Sequence, residues 1–257
     1  MTDVPALVIE NAPSDPVARL GDWLREAGLP LHVVRPHAGE ALPETLADHT
    51  ALVVMGGPQT AYASPGAPWF DAERKLMRRA VADRVPTLAI CLGAQLLAQA
   101  YGGTVARAEA GPELGARLVA RRDAADQDPL FAGVPFTPDV IGWHYDEITV
   151  LPAGATLLAA SPRYPHQAFR LGARAWALQF HIEPDAEMIS TWAAKDAPAL
   201  RELGHEPDDV AAAAHAVLDD VAEVWRPFAQ RFAALAQGRL EVDAATDPAR
   251  RLAILGE

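Results

Sequence analysis

Apolar positions in the first hundred residues follow two alternating patterns. Short, mostly uninterrupted runs at Ala6-Leu7-Val8-Ile9, Leu31 to Val34, Ala51-Leu52-Val53-Val54-Met55 and Thr87-Leu88-Ala89-Ile90 have the length and composition of strands buried on both faces. Between them lie longer stretches of helical character. These are Asp15 to Gly28, with Val17, Leu20 and Leu24 near helical spacing, the charged stretch Pro68 to Ala82, and Gly93 to Tyr101, stopped by Gly102-Gly103. Such alternation predicts an α/β fold: an open, mostly parallel sheet with helices on both faces.

The pattern changes at Thr104. From there to about Phe180 it predicts short strands and turns with little helix: Ala116–Ala120, Val140–Trp143, Thr156–Ala160, Gln167–Leu171 and Ala173–Phe180. These are expected to form an antiparallel extension of the same sheet. From Pro184 the chain turns helical again, with the Ala211-Ala212-Ala213-Ala214 run and apolar spacing through Val217, Val221, Val224 and Phe228. An apolar helical stripe usually marks burial, so this tail reads as a packed cap or a homodimer surface before it reads as a partner dock. No repeat or long linker interrupts the chain. The expected division is an α/β domain over 1–195 and a helical C-terminal extension over 196–257 packed on it.

Composition narrows the class. The 257 residues include 22 Lys and Arg against 34 Asp and Glu, a formal net charge of −12. Phosphate backbones and anionic membranes repel such a chain, so neither nucleic acid nor a membrane is expected as a partner. A single cysteine forms no internal disulfide and no thiolate zinc site. Met1-Thr2-Asp3-Val4-Pro5 lacks the basic region of a signal peptide, and no stretch approaches the ~18 apolar residues of a membrane helix. A soluble enzyme of a reducing, cytoplasmic compartment is the expected class.

Three short segments carry candidate chemistry. Cys91 lies between a buried strand and a helix in Ala89-Ile90-Cys91-Leu92-Gly93, the context of a nucleophile on a tight strand-to-helix turn. Gly93 permits close approach of helix and strand, and the helix N-terminus favours negative charge on the Cys91 sulfur. Gly56-Gly57-Pro58 ends another strand, where ligands of open α/β sheets gather. The backbone N–H groups of Gly57 and Leu92 are candidates for an oxyanion hole. In His181-Ile182-Glu183 a strand period of two puts both polar side chains on one side, so Glu183 can orient His181 and His181 can take the Cys91 proton. Singly, each has a plainer reading: a buried structural cysteine, a turn, and an exposed strand-end pair. A metal site is a further alternative, since His144/Asp146 and His181/Glu183 are two His-x-acid pairs. It would leave Cys91 without a role, and no metal is expected.

Taken together, Gly-Gly-Pro after a strand, Ala89-Ile90-Cys91-Leu92-Gly93-Ala94-Gln95 and Trp176-Ala177-Leu178-Gln179-Phe180-His181-Ile182-Glu183 resemble the class I glutamine amidotransferases. The resemblance runs from about Val4 to Trp192, and Cys-Leu-Gly-x-Gln over Cys91 to Gln95 is its most specific element. Trp143-His144-Tyr145-Asp146 with Gln167-Ala168-Phe169-Arg170 is most similar to the amidotransferase portion of GMP synthetase and its stand-alone relatives. The resemblance implies a flavodoxin-like sheet, and hydrolysis of glutamine through a γ-glutamyl thioester with no cofactor. It implies Cys91 as nucleophile, His181 as base and then acid, and Glu183 as orienting carboxylate, with Gly57 and Leu92 as oxyanion-hole amides. It also implies Gln95 and the backbone of Tyr145 and Asp146 as the holders of glutamine's amino-acid end, with Gly57 beside them and His144 structural.

The chain departs from the family at several positions. Ile182 replaces the usual proline after the histidine and loosens the backbone there. Ala89 stands where Gly is common and Ala94 where His is common, and Tyr145 puts a phenol at the pocket rim in place of a small residue. No Gly-rich phosphate loop occurs, so ATP activation of an acceptor is expected from a separate synthetase fed with ammonia. The alternative is a stand-alone hydrolase of γ-glutamyl amines or peptides. A non-catalytic binding module would need a broken triad, and all three residues are present.

Overall fold

The computed structural model describes residues 4–62 and 66–242. The chain begins β1 (Ala6–Ile9), α1 (Ala18–Glu26), β2 (Leu31–Val34), β3 (Ala51–Val54), α2 (Phe70–Ala82), β4 (Thr87–Ile90) and α3 (Leu92–Ala100). The middle adds β5 (Thr104–Arg107), β6 (Glu113–Leu118), β7 (Ala120–Arg121), β8 (Asp139–His144), β9 (Asp146–Val150), β10 (Ala155–Ala160), β11 (Ala168–Leu171) and β12 (Ala175–Leu178). Helices α4 (Ala186–Lys195), α5 (Ala197–Glu202), α6 (Pro207–Ala216) and α7 (Leu218–Ala236) follow.

One eight-stranded sheet has the order β2-β1-β3-β4-β12-β11-β10-β7. Its first five strands run parallel in the flavodoxin-like order. The antiparallel extension consists of β11, β10 and β7. The expected strand 173–180 is not part of that extension: β12 lies parallel to β4, with Ala177 opposite Ala89. The strands expected near 116–120 and 140–143 leave the main sheet as well. There β6 and β8 form a two-stranded sheet of their own, to which only the single bridge of Ile141 to His181 is added, and Val119 is the corner from which β7 returns to the sheet. The ribbon of β5 and β9 has no counterpart among the expected strands. Thr104, Arg107, Thr149 and Val150 are exposed, so this ribbon shows no continuous apolar run.

The runs of β1 and β3 are apolar throughout and that of β4 nearly so because both faces are covered, whereas the edge strand β2 carries the exposed His32. Ala6, Val8, Ala51, Val53, Leu88 and Ile90 pack with Leu20 and Leu24 of α1 and with α7. The alternate residues Leu7, Ile9, Leu52, Val54 and Ala89 pack with Met77 of α2 and Leu96 of α3. On α7, Val221, Trp225, Phe228, Phe232 and Leu235 recur every three or four residues and are all buried within this chain. Its end is tied to α1 by Gln237 Nε2 donating to the Gly28 carbonyl at 2.6 Å and by an Arg226–Glu26 ion pair at 2.7 Å. A smaller core joins Ile189 and Trp192 of α4, Leu200 of α5 and Ala214 of α6 to Ile141 and Trp143 of β8. The expected extension beyond Val242 lies outside the described residues. Among the described residues no helix is long and apolar enough to cross a membrane.

Trp225 joins α7 to the sheet. It is fully buried, its ring centroid lies 5.1 Å from that of Phe180, and its Nε1 donates to the Asp139 carbonyl at 2.9 Å. Trp225→Ala should lower unfolding free energy by about 3–5 kcal/mol, read as a lower urea midpoint. Trp225→Phe keeps most of the packing and should lose less.

Candidate active site

The turn between β4 and α3 places Cys91. Its backbone has φ 49° and ψ −106°, a conformation costly for a residue with a side chain. Its N–H donates to the Leu178 carbonyl of β12 at 2.7 Å. Two glycines give it room. A Cβ on Gly93 would stand 2.4 Å from the Val54 carbonyl oxygen, so α3 can approach β3 only without one. A Cβ on Gly56 would meet His181 Cε1 at 3.0 Å, Asp15 Oδ1 at 3.1 Å and Cys91 Cβ at 3.6 Å. Gly56 is thus the open point around which Cys91, His181 and Asp15 converge.

After β12 the chain peels away from the sheet. His181 exchanges backbone hydrogen bonds with Ile141 of β8, donating at 2.8 Å and accepting at 3.1 Å. Its Nδ1 lies 2.6 Å from Glu183 Oε1, and both side chains are buried. The Ile182 N–H donates to Glu183 Oε2 at 2.9 Å. Ile182 therefore does not leave the orientation loose. A proline has no N–H to give, and isoleucine replaces ring rigidity with a hydrogen bond onto the carboxylate. The Arg19 N–H at the start of α1 donates to the Glu183 carbonyl at 3.1 Å and pins the same loop. His181 Nε2 makes no hydrogen bond within ordinary limits, and the group it interacts with is Cys91. Burial alone would lower the imidazole pKa. The Glu183 charge and Cys91 outweigh that and hold it well above its usual value.

A cavity of about 310 Å³ opens over Cys91, and Gly57, Gln95, Tyr145 and Asp146 line it. Leu92 sits beside Gly57: its Cδ2 would be 3.0 Å from a Cβ placed there. Gln95 Nε2 donates to the Asp146 carbonyl and to Gln179 Oε1, both at 3.3 Å. The Tyr145 ring lies under the Arg107 guanidinium at 4.6 Å, and burial together with the Asp196 carboxylate pushes its phenol up to about 12. The rim phenol is therefore a neutral wall group. The Asp146 carboxylate accepts from Tyr62 Oη at 3.2 Å. His144 is buried with Nδ1 3.0 Å from the Asp146 carbonyl and Nε2 3.0 Å from Glu113. Of the two His-x-acid pairs, His181 thus keeps Glu183, while His144 meets the backbone and not the carboxylate of Asp146 and pairs with Glu113 instead. Among the described residues no three His, Cys, Asp or Glu side chains are grouped to hold a metal ion.

The structure adds site residues that the sequence reading passed over. The loop after β1 carries Asn11 and Asp15. Asn11 is fully buried: its Nδ2 donates to the Met55 carbonyl at 3.2 Å and to Glu73 Oε1 at 3.1 Å, and its Oδ1 accepts from Trp69 Nε1 at 2.7 Å. Gln59 Nε2 donates to the Asn11 carbonyl at 3.0 Å, so Asn11 holds both ends of the Gly56-Gly57 segment. Asp15 is buried against the cavity, and burial raises its carboxyl pKa against the pull of Ser14, His181 and Lys195. The only signal for either was position, at the carboxyl end of a central strand.

The model of the family described as glutamine amidotransferase class-I matches residues 17–189. A glutamine amidotransferase-like protein of Salmonella typhimurium, YfeJ, is 35% identical over 172 residues, 65% of this chain and 70% of that protein. A glutamine-hydrolyzing GMP synthase of Parafrankia is 40% identical over 134 residues, 52% of this chain but 23% of the synthase, so this chain spans less than a quarter of that enzyme. Among solved structures, a glutamine amidotransferase from Thermotoga maritima is similar with a TM-score of 0.80 at 27% identity, covering 91% of this chain and 99% of that one.

Glu73 supplies a pH test of the loop clamp. Its side chain is fully buried, Oε2 has no hydrogen-bond partner, and burial raises its pKa from 4.5 to about 8. The Asn11 bond and the Arg74 charge oppose that shift without cancelling it. A carboxyl raised on folding stabilises the fold fully below its unfolded value, and the contribution drains away as pH rises toward 8. Glu73→Gln, an isostere of the neutral acid, should flatten that slope. Its thermal midpoint should exceed wild type by several degrees at alkaline pH and approach it in mild acid.

Proposed function

This chain belongs to the class-I glutamine amidotransferase family, and on that premise we propose that Cys91, His181 and Glu183 hydrolyse the side-chain amide of glutamine through a γ-glutamyl thioester. The protein is a cysteine-based amidohydrolase. The observation that carries the finer reading is the buried 2.6 Å pair of His181 and Glu183, which leaves the other imidazole nitrogen without a hydrogen bond while His181 and Cys91 both border Gly56.

His181 accepts the Cys91 proton and the sulfur attacks the amide carbon. The oxyanion that forms is held by the N–H groups of Gly57 and Leu92. When the C–N bond breaks, the nitrogen takes the proton from His181 and leaves as ammonia. Water then gives a proton to His181, attacks the thioester and yields glutamate, and Cys91 regains its proton. Gln95 and the Tyr145-Asp146 backbone hold the α-amino and carboxylate groups, which is consistent with their common cavity. We assign this chemistry to residues 1–195, with 196–257 as an extension packed on it. Lys195 and Asp196 at the joint both line the cavity.

The released ammonia is proposed to serve a separate synthetase in the cytoplasm. The absence of a Gly-rich phosphate loop supports this, as does the match to a limited part of a GMP synthase. A second reading, a stand-alone hydrolase of γ-glutamyl amines or peptides, is favoured by one observation: a buried carboxyl, Asp15, next to the nucleophile.

Ammonia release from L-glutamine by the purified chain tests the mechanism. Cys91→Ala should reduce turnover by at least about 10³-fold without loss of fold, His181→Ala nearly as much, and Glu183→Gln less. Near wild-type turnover by Cys91→Ala would overturn the reading. Gln95→Ala should act mainly by raising KM for glutamine.

A further inference from the structure

We propose that Asp15 reads the leaving group, and that this site cleaves γ-glutamyl amides of amines that carry a second, cationic amino group. The inference rests on Cys91 as nucleophile, as read above, and goes on to the substrate class.

Two walls of the cavity have different chemistry. Gln95, Tyr145 and Asp146 form one, where the γ-glutamyl end is assigned. Asp15 stands at the other, beside His181 across Gly56. His181 protonates the departing nitrogen, so Asp15 lies where the leaving group emerges. Asp15 is 6% exposed, and its Oδ2 accepts from Ser14 Oγ at 2.6 Å. Its Oδ1 lies on the Gly56 side, 3.1 Å from where a Cβ there would stand, and no described residue donates to it, so it is open to a donor from the ligand. Ammonia is too small to reach past it, whereas an amine with a distal ammonium is not.

The space beyond has the same sign. A second cavity of about 220 Å³ shares Ser14 with the first and carries Asp185 and Glu187 on its wall. Asp185 caps α4 by accepting the Met188 N–H at 2.8 Å, so its place is set by the helix. Among the described residues two cations line the first cavity, both exposed: Lys195, and Arg107, whose guanidinium lies over Tyr145 on the γ-glutamyl side. A leaving group with a carboxylate would need Lys195 to prevail over the buried Asp15, against the stronger effect of charge in a drier place.

The reaction balances as for glutamine. The γ-glutamyl C–N bond breaks, the amine leaves with the proton from His181, and water hydrolyses the thioester to glutamate.

The test compares three isosteric amides of the glutamate γ-carboxyl with L-glutamine, all on the full chain. Their amines are 1,4-diaminobutane, butylamine and 4-aminobutanoate, whose far ends are cationic, neutral and anionic. Wild type should show kcat/KM for the diaminobutane amide about tenfold or more above the butylamine amide, with the aminobutanoate amide lowest. Asp15→Asn should bring the first two within about twofold, and Asp15→Glu should retain the preference. Ratios measured on one preparation cancel the folded fraction, so partial misfolding does not blur the result. Equal rates, a preference for the anionic amide, or a preference that survives Asp15→Asn would overturn the proposal. If glutamine alone is cleaved in a Cys91-dependent way, this inference fails and the thioester reading stands. If none of the four is cleaved, both fail.

Discussion

Much of this molecule is arranged around a single unfavourable backbone conformation, the positive φ of Cys91. A side chain in that region costs about 1–3 kcal/mol and persists only where its surroundings over-determine it. Here they do. Strand β4 is central, with β3 and β12 hydrogen-bonded on either side, so the residue cannot slide. Its N–H is held by Leu178, and α3 starts at the next residue over a glycine that lets the helix rest on Val54. Because both neighbouring strands end at the same level, the segments that follow them, Gly56-Gly57 and His181 to Glu183, are delivered to either side of the sulfur.

The polar groups brought there are buried, and burial alone would disfavour their charges. The structure offsets this with specific partners. Glu183 receives His181 at one oxygen and the Ile182 N–H at the other, which leaves little orientational freedom in the pair. Asn11 does the same for the opposite loop with its whole amide, through Met55, Glu73 and Trp69. The Glu183 contacts are local, but those of Asn11 join groups 44 to 62 residues apart in sequence, so that side of the site exists only once the sheet is assembled. The C-terminal helices enter the same economy: α7 seals one face of the sheet, while Trp192 of α4 stacks near His181 with ring centroids 4.8 Å apart.

The local order of strands and helices in the first half was legible because both faces of the central strands are covered, which leaves those strands almost wholly apolar. Cys91, Gly93 and the His181–Glu183 pair were legible for a related reason. A cysteine at a strand end and two residues of one strand face are local geometries, and the family resemblance placed them in one site. Pairing was not legible. The strand 175–178 has the same alternation whether it runs parallel or antiparallel, and only β4 as its neighbour decides. The ribbon of β5 with β9 is half exposed and carries too few apolar residues to announce a partner, while β6 and β8 are largely buried but pack against α4 to α6 instead of joining the main sheet. Asn11, Asp15 and Glu73 lie on a loop and a helix whose local sequence says nothing of burial. The sequence by itself thus determined most of the elements, the place of Cys91 on a strand-to-helix turn, and the family. The tertiary structure decided which polar groups lie dry beside Cys91, because desolvation and long-range hydrogen bonding are properties of packing and not of neighbours along the chain.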